Sequence, residues 1–202
     1  KPDMALKNLD RAIQLKPDYV DALLARVRLR VKRHLEVGND LPTLEKLIAP
    51  ADELRFELAQ LYEDTGNYSA AVRQLDVWMD ARPNDTLTAE ALNARCWARA
   101  TGNLELDRAL SDCNAALQHQ IENPAFADSR ALVQLRRGDL DRAISDYDYA
   151  LQRKPRNVTS LYGRGLAKLR KGLAAAGKAD LDAATAIDPK IAERFARWGL
   201  KP

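Results

Sequence analysis

The chain contains 202 residues, of which 46% are hydrophobic and 30% charged, and its formal net charge is +3 at pH 7. A chain of this length can bury a hydrophobic core without cross-links, and its two cysteines are too few for a disulfide-framework protein. No apolar stretch approaches the roughly 20 residues that are needed to span a bilayer. Opposite charges alternate along the chain as on solvated helix faces, so we do not expect nucleic-acid binding. Because no long apolar stretch is present, we do not expect membrane insertion either.

Alanine and leucine dominate while β-branched residues are few, which predicts an all-α chain. The first element is a partial repeat over 1–19, whose single helix ends before Pro17. Helix hairpins follow, each closed by proline or another breaker. Five are predicted, at about 20–50, 52–85, 89–122, 124–157 and 158–190. A last amphipathic helix over 191–199 is expected to cover the exposed end of the stack.

An internal repeat supports this segmentation. Residues 137–155 align with residues 171–189 at an offset of 34 positions, which superimposes Gly138 on Gly172 and Pro155 on Pro189. Glycine is predicted in the turn between the two helices of a hairpin, because positive φ costs glycine little. The predicted turn glycines are Gly66, Gly102, Gly138 and Gly172.

This skeleton resembles the tetratricopeptide repeat (TPR) over essentially the whole chain. The resemblance implies a right-handed superhelical solenoid of antiparallel hairpins with a C-terminal capping helix, in a single domain over 1–202. The first (A) helices of the hairpins would line a concave groove. The tail, together with NARCWARA at 93–100, also resembles the C-terminal TPR region of larger bacterial proteins that carry a transglutaminase-like domain upstream.

The N-terminal helix lacks the A helix that would pair with it. Leu6, Leu9 and Ile13 are therefore expected to be exposed, and the natural chain is expected to continue upstream. An exposed apolar face of this kind also allows a homodimer formed through this helix.

The TPR resemblance implies a set of groove-lining residues that would bind a protein or peptide. Aromatic side chains dominate interface hot spots, so Phe56, Trp97 and Tyr162 would serve as anchors. The complete predicted set is Arg28, Lys32, Phe56, Gln60, Glu63, Asn93, Trp97, Asp128, Leu132, Tyr162 and Leu166.

Arginine recurs on the A helices, at Arg26, Arg95, Arg130 and Arg164. These side chains either pair with carboxylates on the second (B) helices or form a basic ladder for an acidic peptide, and we expect the former. The two cysteines, Cys96 and Cys113, fall at facing sites of one hairpin. A disulfide requires Cα atoms within about 7 Å, but we expect two buried thiols that act as small hydrophobic residues.

The sequence carries no pattern of a catalytic, cofactor or metal site. The histidines, His34 and His119, are far apart and lack ligands at metal-binding spacing, and no nucleophile elbow or phosphate-binding loop occurs. These observations favour a non-enzymatic interaction scaffold that binds a peptide in the groove. The alternatives are a structural spacer or self-association module, and the regulatory TPR tail of a larger enzyme.

Overall fold

The structure, a computed structural model, describes residues 2–202, and these form twelve α-helices and no strand. The helices are α1 (Pro2–Leu15), α2 (Val20–Lys32), α3 (Asp40–Leu47), α4 (Leu54–Asp64), α5 (Tyr68–Ala81), α6 (Thr88–Gly102), α7 (Leu106–His119), α8 (Pro124–Arg137), α9 (Leu140–Arg153), α10 (Val158–Arg170), α11 (Ala174–Ile187) and α12 (Ile191–Arg197). The all-α fold of helix hairpins is confirmed. Within residues 2–202, no helix has the length and apolar character needed to cross a bilayer.

The chain divides into two compact units, Lys1–Asp85 and Thr86–Pro202. In the first unit, α1 packs against α2, which contacts α3 and α4, and α4 pairs with α5. Leu6, Leu9 and Ile13 are half-buried in this arrangement, so their expected exposure is wrong. The exposed apolar side chains of α1 are instead Met4 and Leu15. The single-domain organisation and the homodimer stay predictions.

The second unit contains three hairpins, α6/α7, α8/α9 and α10/α11, in which neighbouring hairpins are in contact. Helix α8 contacts both α6 and α10, so these three A helices lie side by side. The two helices of the last hairpin approach each other closely. A Cβ on Gly165 would lie 3.0 Å from the carbonyl oxygen of Gly177, so the two backbones meet where neither residue has a side chain.

The turns follow the glycine prediction with one exception. Gly66, Gly138 and Gly172 have φ angles of 79°, 80° and 85°. The prediction for Gly102 is wrong, because α6 continues through it and the turn that follows contains additional residues. There the left-handed conformation falls on Asn103, with φ 54°. Asparagine tolerates this region better than most residues, since its short polar side chain bonds locally.

The A-helix arginines pair with aspartates of the B helix in the same hairpin, which confirms that interpretation. Arg130 Nε lies 2.7 Å from Asp146 Oδ2, and its Nη1 donates at 3.1 Å to Asn114 of the preceding B helix. Each arginine of this type can thus hold three helices together. The other pairs are Arg26–Asp40, Arg95–Asp112 and Arg164–Asp180, and Arg26 and Arg164 also reach Asp10 and Asp148, respectively.

Replacing Arg130 by methionine is expected to lower the free energy of unfolding by about 2 kcal/mol, because it leaves the largely buried carboxylate of Asp146 without its charged donor. The matched control is Arg142→Met, whose exposed guanidinium pairs with Asp139 at 3.2 Å. That variant should lose no more than about 0.5 kcal/mol. Urea denaturation followed by circular dichroism measures both, and equal losses would contradict a structural role for Arg130.

Candidate functional site

Six of the predicted groove residues lie on the three A helices of the second unit, and we call these six side chains the A-helix face. These are Asn93 and Trp97 of α6, Asp128 and Leu132 of α8, and Tyr162 and Leu166 of α10. Leu132, Tyr162 and Leu166 are only 1%, 3% and 0% exposed. The apolar part of the face is therefore covered.

The C-terminal segment, residues 191–202, provides part of this cover. Its helix α12 packs against α10 and α11. The ring centroid of Phe195 lies 4.6 Å from that of Tyr162, and the ring of Trp198 meets Trp97 edge-on at 5.4 Å. Phe195 and Trp198 are themselves 4.8 Å apart. A continuous row of four aromatic rings thus joins α10 to α6 through the C-terminal segment.

The local sequence explains how this segment turns. Gly199 has φ 75° and donates from its amide to the carbonyl of Ala196, while Leu200 N donates to the carbonyl of Phe195. This pair of hydrogen bonds is the Schellman motif that commonly ends helices at glycine. It directs Leu200 back into the core that contains Tyr162 and Phe195.

Polar contacts fix both ends of α12. At its start, Asp188 accepts from the backbone amide of Lys190 at 2.9 Å and pairs with Arg194 at 2.7 Å. At its end, Arg136 of α8 donates to the carbonyl of Trp198 and, at 3.0 Å, to that of Thr101. The same guanidinium therefore donates hydrogen bonds to carbonyls at the C-terminal ends of α6 and α12, where the carbonyls lack helical partners.

Asp128 is the buried charge of the A-helix face. Its carboxylate is 7% exposed and accepts a hydrogen bond from Ser160 Oγ. Burial raises the pKa of Asp128 to about 6, although the bond from Ser160 acts in the opposite direction. Asn93 is half-buried, and its side-chain carbonyl oxygen is buried without a hydrogen-bond donor among the described residues. This acceptor is enclosed in the structure, so a ligand reaches it only after the side chains around it have moved.

Asp128→Asn is expected to stabilise the protein more at pH 7 than at pH 4. The folded-state pKa of about 6 exceeds the ordinary value of 3.8, so ionisation opposes folding and stability falls as the pH rises between these values. The difference in unfolding free energy between variant and wild type should grow by about 2 kcal/mol from pH 4 to pH 7. Urea denaturation at both pH values measures it, with the exposed Glu122→Gln as control. A constant difference would contradict the buried charge.

The remaining predicted groove residues lie on α2 and α4 of the first unit. Arg28 is exposed and pairs with Glu57, and Lys32 is exposed. Phe56 packs edge-on against Trp78 at 4.8 Å, so its ring is engaged within the core. The other two are Gln60, which is exposed, and Glu63, whose pKa burial and the nearby Asp64 raise to about 8. Their role in binding stays a prediction.

The cysteine next to Trp97 is cross-linked. Cys96 on α6 and Cys113 on α7 form a disulfide with their Cα atoms 5.5 Å apart, so the expectation of two thiols is wrong. These positions face each other closely in the hairpin, as do the equivalent positions Gly165 and Leu181 in the last hairpin. There a Cβ on Gly165 would lie 2.8 Å from Leu181 Cδ2. Two cysteines at such positions satisfy disulfide geometry, and the bond holds α6 firmly against α7.

Sequence reasoning missed the residues that cover the A-helix face. Phe195 and Trp198 were included only as parts of a capping helix over 191–199, and neither Leu200 nor Arg136 was singled out. The available signal was the spacing in FARWGL at 195–200, in which two aromatic residues three positions apart precede a helix-ending glycine and a leucine. Among the described residues, no group of three or more potential metal-ligating side chains is suited to hold an ion.

Comparison with known proteins supports the repeat identification. Residues 129–190 match the family profile described as tetratricopeptide repeat, which confirms that the repeat is a TPR. A comparison with curated protein sequences gave no significant match.

Solved TPR structures share the fold. A tetratricopeptide repeat protein from Parabacteroides merdae is 16% identical and has a TM-score of 0.68, with 96% of this chain and 81% of that one covered. PilW, a type IV pilus biogenesis factor, is 14% identical with a TM-score of 0.69, over 96% and 89% of the two chains. YrrB, described as a TPR protein with an unusual peptide-binding site, is 14% identical with a TM-score of 0.54, over 95% and 98%. At these identities the similarity establishes the fold alone.

Proposed function

We propose that this chain, whose residues 129–190 match the tetratricopeptide repeat, is a non-enzymatic interaction module. Its A-helix face in residues 86–202 binds a peptide segment of a protein partner. The observation that carries this proposal is that the face already accommodates a peptide segment, since Trp97 and Tyr162 pack against Trp198 and Phe195 of the same chain.

The chemistry of the face suits a peptide ligand. Trp97 and Tyr162 offer large, rigid aromatic surfaces of the kind that dominate binding energies. The unpaired side-chain oxygen of Asn93 accepts a hydrogen bond from a backbone or side-chain N–H group. The guanidinium of Arg136 donates to a backbone carbonyl, which every peptide possesses. YrrB, which shares the fold, is described as having a peptide-binding site, and we propose the same class of ligand here.

A peptide selected from a random library against the full chain tests this function. Its affinity, measured by fluorescence anisotropy, should fall about tenfold in Asn93→Ala, because one hydrogen bond to the peptide is lost. Gln118→Ala, an exposed position on α7, is the matched control and should bind as the wild type does.

Nuclear magnetic resonance locates the bound peptide independently. The three tryptophans provide separate indole N–H signals. Those of Trp97 and Trp198 should shift on peptide addition, whereas that of Trp78 in the first unit should not. The proposal is wrong if the selected peptide binds Asn93→Ala as tightly as wild type and leaves the Trp97 signal unmoved.

A further inference from the structure

We infer that the ligand of the A-helix face is a short amphipathic helix with an aromatic residue, a second aromatic residue three positions later and a leucine two positions after that. The C-terminal segment is its intramolecular counterpart and leaves the face before the partner helix binds. This inference rests on the proposed function and deepens it by specifying the chemistry of the partner.

The spacing comes from the side chains that the segment places on the face. Residues three apart lie on the same side of a helix, so Phe195 and Trp198 present adjacent rings to Tyr162 and Trp97. The Schellman turn at Gly199 then places Leu200 in the same core. A partner helix with this pattern makes the same three apolar contacts.

The direction of the partner helix follows from Arg136. Its guanidinium donates to the carbonyl of Trp198, which lies at the end of α12 where no helical amide remains to pair with it. This hydrogen bond involves only a backbone carbonyl, so it is independent of the partner's sequence. A partner helix must end beside Arg136, with its C-terminal carbonyls directed toward the guanidinium.

Apart from its apolar side chains, the segment is held by the ion pair between Asp188 and Arg194 and by the hydrogen bond from Arg136 to Trp198, and these contacts must break when it leaves the face. Helix α12 has only seven residues, and a helix this short is unstable without tertiary packing. Its other face, which includes Ala192, Glu193, Ala196 and Arg197, is exposed. Its tether to α11 is short, so its effective concentration at the face is on the order of millimolar. A free peptide of the same sequence, at micromolar concentration, therefore does not displace it from the wild-type chain, whereas a peptide of higher intrinsic affinity does.

A fluorescein-labelled peptide of residues 188–202, titrated into the full chain, tests the inference by anisotropy. The variant Trp198→Ala/Leu200→Ala should bind it at least tenfold more tightly than wild type, because the internal competitor is weakened. The matched control, Arg197→Ala/Lys201→Ala, changes two exposed residues of the segment and should behave as wild type. A peptide in which Phe195 and Trp198 are both alanine should not bind any of them.

The inference is overturned if the Trp198→Ala/Leu200→Ala variant, helical by circular dichroism and monomeric by sedimentation, binds the peptide no better than wild type. Should this variant lose helicity, the single Trp198→Ala variant is judged by the same criterion. The library-selected peptide is titrated in parallel. If the library-selected peptide binds and the 188–202 peptide does not, the ligand chemistry inferred here is rejected and the proposed function is retained. If neither peptide binds, both the inference and the proposed function are rejected.

Discussion

Phe195→Ala is expected to lower the free energy of unfolding by about 3–5 kcal/mol, the usual loss when a fully buried phenylalanine is truncated. Phe195 is 0% exposed, and its ring contacts both Tyr162 and Trp198. Its removal leaves a cavity between α12 and α10 and breaks the row of four aromatic rings at its centre. Urea denaturation followed by circular dichroism measures the loss.

The control for this prediction is Arg197→Ala, on the exposed side of the same helix. It removes a longer side chain two positions away and should change the unfolding free energy by no more than about 0.5 kcal/mol. A loss below about 1 kcal/mol in Phe195→Ala would mean that the C-terminal segment is not seated on the A-helix face in solution.

Reduction of the Cys96–Cys113 disulfide is expected to cost about 3 kcal/mol of unfolding free energy. The bond closes a loop between residues 17 positions apart, and its main effect is to restrict the unfolded chain. Urea denaturation with and without a phosphine reductant measures this loss.

The double variant Cys96→Ala/Cys113→Ala serves as the control for reduction. Its unfolding midpoint should be the same with and without reductant, because it has no disulfide to break. An unchanged midpoint in the wild-type chain, together with reactive thiols in the unfolded and unreduced protein, would instead restore the expectation of free cysteines.

The helices could be predicted from the sequence because each depends on local signals. Proline after the B helices and glycine in the turns limit where a helix can run, and the 34-residue offset repeats those limits. The prediction that Gly102 lies in the turn was wrong because this hairpin departs from the regular repeat. The residues that follow it lengthen the turn, and an asparagine could then adopt the left-handed conformation in place of glycine.

Only the A-helix residues of the candidate site were predicted from the sequence, and the C-terminal residues that cover them were not. Trp97 and Tyr162 were identified because they fall at two groove-facing positions that the TPR resemblance implies for the A helices. The cover on these residues depends on contacts between positions 33 and about 100 residues apart in the chain, which no local periodicity encodes. The amphipathic pattern of 191–199 predicted a buried helix face but did not specify the surface against which it packs.

The arginine pattern shows how a recurrent residue can be structural. Arg130 and Arg164 could be read as a ladder for an acidic ligand, yet their guanidinium groups are satisfied by Asp146 and Asp180. The decisive information was the aspartate at the same B-helix position in the three hairpins of the second unit, Asp112, Asp146 and Asp180. The charges of these arginines are therefore used within the fold, and the aromatic side chains of the A-helix face are the better candidates for ligand binding.

Hydrogen–deuterium exchange of the full chain, with and without a saturating library-selected peptide, shows whether the ligand and the C-terminal segment compete for the A-helix face. We expect the amides of residues 195–200 to exchange faster when the peptide is bound, because the C-terminal segment leaves the A-helix face. The amides of α8 should exchange no faster than before. Tight peptide binding with unchanged protection of residues 195–200 would contradict the claim that the segment and the ligand share one site.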